Sequence, residues 1–187
     1  MKIVIGITGA SGAQYGIRLS SELCKAGERP DIIVSSGAKA VMGQECRGGY
    51  SKNIEKLKKM GKIWDENDFS APFASGSNPP DAVVICPCSM KTLSAVANDY
   101  EENLIVRAAA VAAKENKKLV LVPREMPFSA LALENMLKLA RLGVVIMPPA
   151  PGLYHRPKTA DEMIGFVVMR IMDEIGVKNK IFRRWGE

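Results

Sequence analysis

Short apolar runs alternate along this chain with longer stretches in which apolar residues recur at helical spacing. The first run, Ile3 to Ile7, reads as a strand, and Ile17, Leu19 and Leu23 then mark a helix from Tyr15 to Ala26 that stops at Gly27. Residues 30–35 are a second strand. Helical pieces follow at 38–46 and 53–60, broken at Arg47-Gly48-Gly49, and Lys62-Ile63-Trp64 is a short strand. Turn formers fill 68–80, and a loop of that length inside a compact domain is expected to be functional. Residues 81–86 form a continuous apolar strand of the kind buried on both faces of a parallel sheet. Ser89 then caps a helix. An alanine-rich helix is expected over 103–116, close-packed through Ala108, Ala109 and Ala112, before a strand at 118–122. A helix at 129–142, a strand at 143–147 and a helix from Thr159 to Gly176 close the pattern, with Thr159 and Glu162 spaced as a capping box. This rhythm predicts an α/β fold: one domain over 1–187, a doubly wound parallel sheet with helices on both faces, and 177–187 as a tail.

The polar breaks carry the chemistry. Gly6, Gly9 and Gly12 follow the first strand without the G-x-G-x-x-G spacing of dinucleotide sites. Small residues there let the backbone approach an anion at a helix start, with Ser11 adding a hydroxyl, although a tight strand-to-helix turn needs the same glycines. Ser35-Ser36-Gly37 stands where an NAD-binding chain carries an acid for the ribose, which favours a mononucleotide. Ser89 opens a second hydroxyl-rich helix start, and the two starts suit one phosphorylated ligand. Arg124 and Glu125 follow a strand at the edge where open α/β sheets bind ligands.

Composition narrows the field. With 47% hydrophobic and 25% charged residues the chain is of globular type, and no run approaches the ~18 apolar residues of a membrane span. No secretory signal pattern precedes the first strand, so the expected location is the cytoplasm. The net charge of +6 comes from lysine-rich helix faces and the tail, without the aromatic interleaving of a nucleic-acid surface. Cys24, Cys46, Cys86 and Cys88 are read as reduced, and the spacing of Cys86-Pro87-Cys88, with His155 far away, argues against a metal site.

Taken in order, Gly6-Ile7-Thr8-Gly9-Ala10-Ser11-Gly12-Ala13, Cys86-Pro87-Cys88-Ser89-Met90-Lys91-Thr92-Leu93-Ser94, Val122-Pro123-Arg124-Glu125, Pro127-Phe128-Ser129, Glu134-Asn135-Met136, Gly152-Leu153-Tyr154-His155 and Arg184-Trp185-Gly186 resemble the UbiX-like flavin prenyltransferases over nearly the whole chain. The resemblance implies transfer of a dimethylallyl group from dimethylallyl phosphate to N5 and C6 of reduced FMN, without metal. The product is the prenylated FMN used by a UbiD-type decarboxylase. It also implies a single-domain flavodoxin-like or Rossmann-like subunit in a homo-oligomer, trimers assembling into a dodecamer, with sites at subunit contacts. It places FMN against Gly9, Ala10, Ser11, Ser35, Ser89, Met90, Lys91, Thr92 and Arg124, and the prenyl phosphate against Lys114, Arg124, Tyr154 and Arg170. Ser11, Glu45, Lys114, Arg124 and Glu125 are the implied catalytic set. The logic is that cationic and phenolic donors stabilise charge on a leaving phosphate, while carboxylates carry protons.

Two other functions fit the same fold. FMN-dependent cysteine decarboxylases rely on a histidine after an early strand and an Asn-rich loop, whereas the histidine here is His155, read as structural or peripheral. A non-catalytic FMN-binding module needs no cluster of Lys114, Arg124, Tyr154 and Arg170.

Overall fold

In the computed structural model, which describes residues 1–184 and 186, a parallel sheet carries helices on both faces. Trp185 and Glu187 lie outside the described residues, and with them the middle of the Arg184-Trp185-Gly186 motif and the end of the expected tail. The strands are β1 (Ile3–Ile7), β2 (Asp31–Val34), β3 (Lys62–Trp64), β4 (Ala82–Cys88), β5 (Lys118–Pro123) and β6 (Val145–Ile146). Their order is β3-β2-β1-β4-β5-β6, the order of dinucleotide-binding sheets rather than of flavodoxin, and every pairing is parallel. The order reverses between β1 and β4, and a crevice opens beyond their carboxyl ends.

The helices are α1 (Ala13–Lys25), α2 (Ser36–Glu45), α3 (Gly49–Met60), α4 (Met90–Ala97), α5 (Leu104–Lys114), α6 (Ala130–Arg141) and α7 (Ala160–Glu174). Alternation along the strands sorts the core. Ile3, Ile5, Ile7, Val84 and Val120 face α1, α2, α3 and α7, whereas Val4, Val83, Ile85 and Leu121 face α4, α5 and α6. The helix starts follow their cap residues: the side chains of Ser35, Ser89, Asn103, Ser129 and Thr159 each accept a backbone N–H of the first turn. Glu162 completes its capping contact one residue earlier than a strict box, accepting Lys158 N–H at 2.7 Å.

Three expectations change. The strand at 81–86 runs on to Cys88, and the one at 143–147 shrinks to Val145–Ile146 at the sheet edge. The 68–80 loop is mostly architectural, because Ala71, Phe73 and Ala74 sink into the core beside α5 and Arg107 Nε donates to Ala74 O at 2.7 Å. Helix α1 also sits very close to the sheet. A Cβ on Gly16 would lie 2.4 Å from Cys86 O, so α1 crosses β4 at a distance that only glycine allows.

Candidate active site

Thr8 ties the two central strands together where they diverge. Its side chain is buried, its Oγ1 donates to Pro87 O at 2.8 Å, and the same oxygen accepts Ser89 N–H at 2.8 Å. This fixes the end of β1 against the end of β4 and aims the start of α4 into the crevice. The neighbouring turn, Gly9 to Gly12, abuts the start of α2: a Cβ on Gly9 would lie 3.0 Å from Gly37 Cα. Gly12 has φ 99°, a left-handed conformation that suits glycine.

The resulting cavity holds about 620 Å³ and opens at the carboxyl ends of β1, β2, β4 and β5. Gly9, Ala10, Ser11, Ser35, Glu45, Ser89, Met90, Lys91, Thr92, Arg124 and Glu125 all line it. Four segments far apart in sequence therefore meet at one place, and the volume lies within the range of about 300–1,000 Å³ usual for small-ligand sites.

Its electrostatics are mixed. Ser89 Oγ accepts Thr92 N–H at 3.2 Å and lies 3.0 Å from Thr92 Oγ1, giving α4 a hydroxyl-lined start. Lys91 pairs with Glu102 at 3.1 Å. Arg124 N–H donates to Cys88 O at 3.2 Å, and its side-chain Nε is buried without a hydrogen-bond partner. A buried guanidinium N–H left unpaired beside a cavity calls for an acceptor from a ligand. The α1 start is not open as expected, since Gly12 N–H donates to Glu45 Oε2 at 2.8 Å. Glu125 Oε1 accepts Met126 N–H at 3.0 Å.

Lys114, Tyr154 and Arg170 do not join this wall, so the four-residue phosphate cluster does not assemble within one chain. Lys114 ends α5 just ahead of β5, at the opposite edge of the sheet, beside Glu115 at 3.5 Å. Arg170 sits on α7, on the other face of the sheet from α5, and is exposed beside Asp173 at 3.2 Å. Tyr154 packs edge-on to Phe166 at 5.6 Å. His155 stacks on Phe166 at 5.1 Å, away from the cavity, with both ring nitrogens buried and without a hydrogen-bond partner. Burial pushes the Cys86 and Cys88 thiols far up, which makes them poor nucleophiles. Among the described residues no group of His, Cys, Asp and Glu is arranged to hold a metal. No helix among them is long and apolar enough to cross a membrane.

Two acids on the wall were missed from sequence. Glu66 reaches it from the loop after β3 and Glu102 from the turn before α5. Neither lies in a motif. Ser35 at the tip of β2 concealed that an acid arrives there from the adjacent strand, which removes the argument drawn from its absence.

The six-stranded parallel sheet and the polar crevice at its point of reversal define a nucleotide-binding α/β protein, and the chain belongs to the flavoprotein family, whose model matches residues 1–174. Among curated proteins it is 49% identical over 186 residues to the flavin prenyltransferase UbiX of Methanocaldococcus jannaschii, covering 100% of this chain and 99% of that one. Among solved structures it is similar to AnUbiX (PadA1) in complex with FMN and dimethylallyl pyrophosphate. There the TM-score is 0.94 at 35% identity, covering 100% of this chain and 97% of that one. It is also similar to the dodecameric FMN-dependent UbiX-like decarboxylase of Escherichia coli O157:H7, with a TM-score of 0.93 at 38% identity, each chain covered 100%.

Proposed function

We propose that this protein is a flavin prenyltransferase that moves a dimethylallyl group from dimethylallyl phosphate onto N5 and C6 of reduced FMN, yielding the prenylated flavin used by a UbiD-type decarboxylase. The observation that carries this reading is that the segments to which the resemblance assigns FMN and the proton carriers, at 9–11, 35, 89–92 and 124–125, converge on one cavity. The residues fit a flavin mononucleotide: a main-chain floor at Gly9 and Gly37, hydroxyls at Ser11, Ser35, Ser89 and Thr92, and an unpaired Arg124 Nε–H. When bound, reduced flavin supplies the nucleophilic ring atoms.

The chain's own part is electrostatic. As the carbon–oxygen bond of the prenyl phosphate breaks, its electron pair leaves with the phosphate, and the Arg124 guanidinium stabilises that growing charge. Glu45, held through Oε2 by Gly12 N–H, and Glu125 are the proton carriers, with Ser11 beside them. Lys114, Tyr154 and Arg170 join the site from neighbouring copies in a homo-oligomer, a trimer that builds a dodecamer. Exposed apolar side chains on and before α6 support such self-association: Leu131 is 73% exposed, Leu133 and Leu137 are each 52% exposed and Met126 is 87% exposed.

The test is flavin mass after anaerobic incubation of the purified protein with reduced FMN and dimethylallyl monophosphate, or the diphosphate in a parallel sample. The expected product is heavier by one C5 unit with at least one donor. Unchanged flavin with both donors would overturn the assignment.

A further inference from the structure

Glu66 and Glu102 are the two acids on the cavity wall that the scheme above leaves unused, and Glu66 is the one without a cationic partner. Its main-chain carbonyl accepts Leu104 N–H at 2.8 Å, which fastens the loop after β3 to the start of α5. Its side-chain Oε1 accepts Ser36 N–H at 2.6 Å, which places the carboxylate at the tip of β2. The residue is half-buried. In doubly wound sheets a carboxylate at the end of β2 reads the hydroxyls of a bound sugar. Here Ser35 follows β2, and the loop after the adjacent strand delivers the acid to the same spot.

The other wall carboxylates are engaged differently. Glu102 is neutralised by Lys91, and Glu45 covers the start of α1. Glu66 is held by a main-chain N–H rather than a cation, so its charge stays available to the cavity. An ionised carboxylate only accepts hydrogen bonds, so whatever lies beside it must donate. A polyol hydroxyl meets that demand and a phosphate oxygen does not.

Resting on the flavin reading above, we propose that Glu66 binds the ribityl hydroxyls of FMN and selects flavins that carry them. The test is titration by flavin fluorescence quenching with two probes, FMN and a flavin phosphate whose ribityl chain is replaced by a pentyl chain without hydroxyls. Glu66→Ala raises the Kd for FMN about tenfold or more, in line with loss of a hydrogen bond to a charged group. Affinity for the pentyl analogue stays unchanged. Glu66→Gln, which keeps an acceptor for Ser36 N–H, gives a smaller loss of the same kind and carries the test if the alanine variant does not fold. Equal loss for both probes would mean that Glu66 only holds α2, and unchanged or tighter FMN binding would mean that it touches no hydroxyl. Either result overturns the proposal, whereas failure of the unaltered protein to bind FMN refutes the flavin reading itself.

Discussion

Thr8→Val replaces the hydroxyl that joins β1 to β4 with a methyl group of nearly the same shape, so no cavity opens and only hydrogen bonding changes. Pro87 O keeps a partner, because Thr8 N–H also donates to it at 3.2 Å. Ser89 N–H loses the Thr8 oxygen that accepts it at 2.8 Å, in a setting where Thr8 is only 2% exposed. Leaving one such donor unpaired costs about 2 kcal/mol. For a chain of this length that lowers Tm by about 4–8 °C. Thr8→Ser keeps the hydroxyl and loses a methyl group, at about 0.8 kcal/mol. The assay is thermal unfolding of the three proteins, ligand-free and at one protomer concentration, since an oligomer's Tm depends on concentration. The valine variant is expected to melt below the serine variant, although valine is the more apolar. A valine variant as stable as the serine variant, or as the unaltered protein, would refute the stapling role of Thr8.

Gly16→Ala forces a methyl group to within 2.4 Å of Cys86 O and 2.8 Å of Ile7 Cγ1, so α1 must lift from the sheet. The expected loss is about 1–3 kcal/mol, read as a lower Tm, and an unchanged Tm would show that α1 rides more loosely over β4. The carboxyl of Asp173 is held below the usual carboxylate range, first by its hydrogen bonds from Arg184, with burial opposing and Asn179 and the Arg170 charge assisting. Its contribution is therefore complete above the ordinary value of 3.8 and is lost as pH falls through the lower native value. Asp173→Asn should lower Tm at pH 7, and its gap from the unaltered protein should narrow as pH falls below 3.8; a constant gap between the two would contradict that linkage.

The pattern of apolar residues displays most of this fold because both sheet faces are covered. Strands such as 82–88 are then buried throughout, and the helices between them show one clear apolar stripe. Cap residues were legible for the same local reason: Ser89 and Thr159 bond N–H groups three residues on. The cavity wall at 9–11, 35, 89–92 and 124–125 was legible because each piece follows directly on a strand's carboxyl end. Glu66 and Glu102 were hidden, because what brings them to the wall is tertiary. The contacts are Leu104 N–H to Glu66 O in one case and the Lys91 ion pair in the other. Lys114, Tyr154 and Arg170 lie off this wall within one chain, and the resemblance that named them also implied sites at subunit contacts, which the pattern of a single chain does not display. The long 68–80 loop looked functional by length, but Phe73 and its neighbours serve the core.

Where Gly9 meets Gly37, the basin's floor consists of peptide groups with no side chain between them. A surface made of main chain has no rotamers to reset, and it lasts only while both positions stay glycine, because a Cβ on either would crowd the other's backbone at 3.0–3.1 Å. The adjustable part of the basin is therefore its side-chain wall, where Glu66, Lys91 and Glu102 stand.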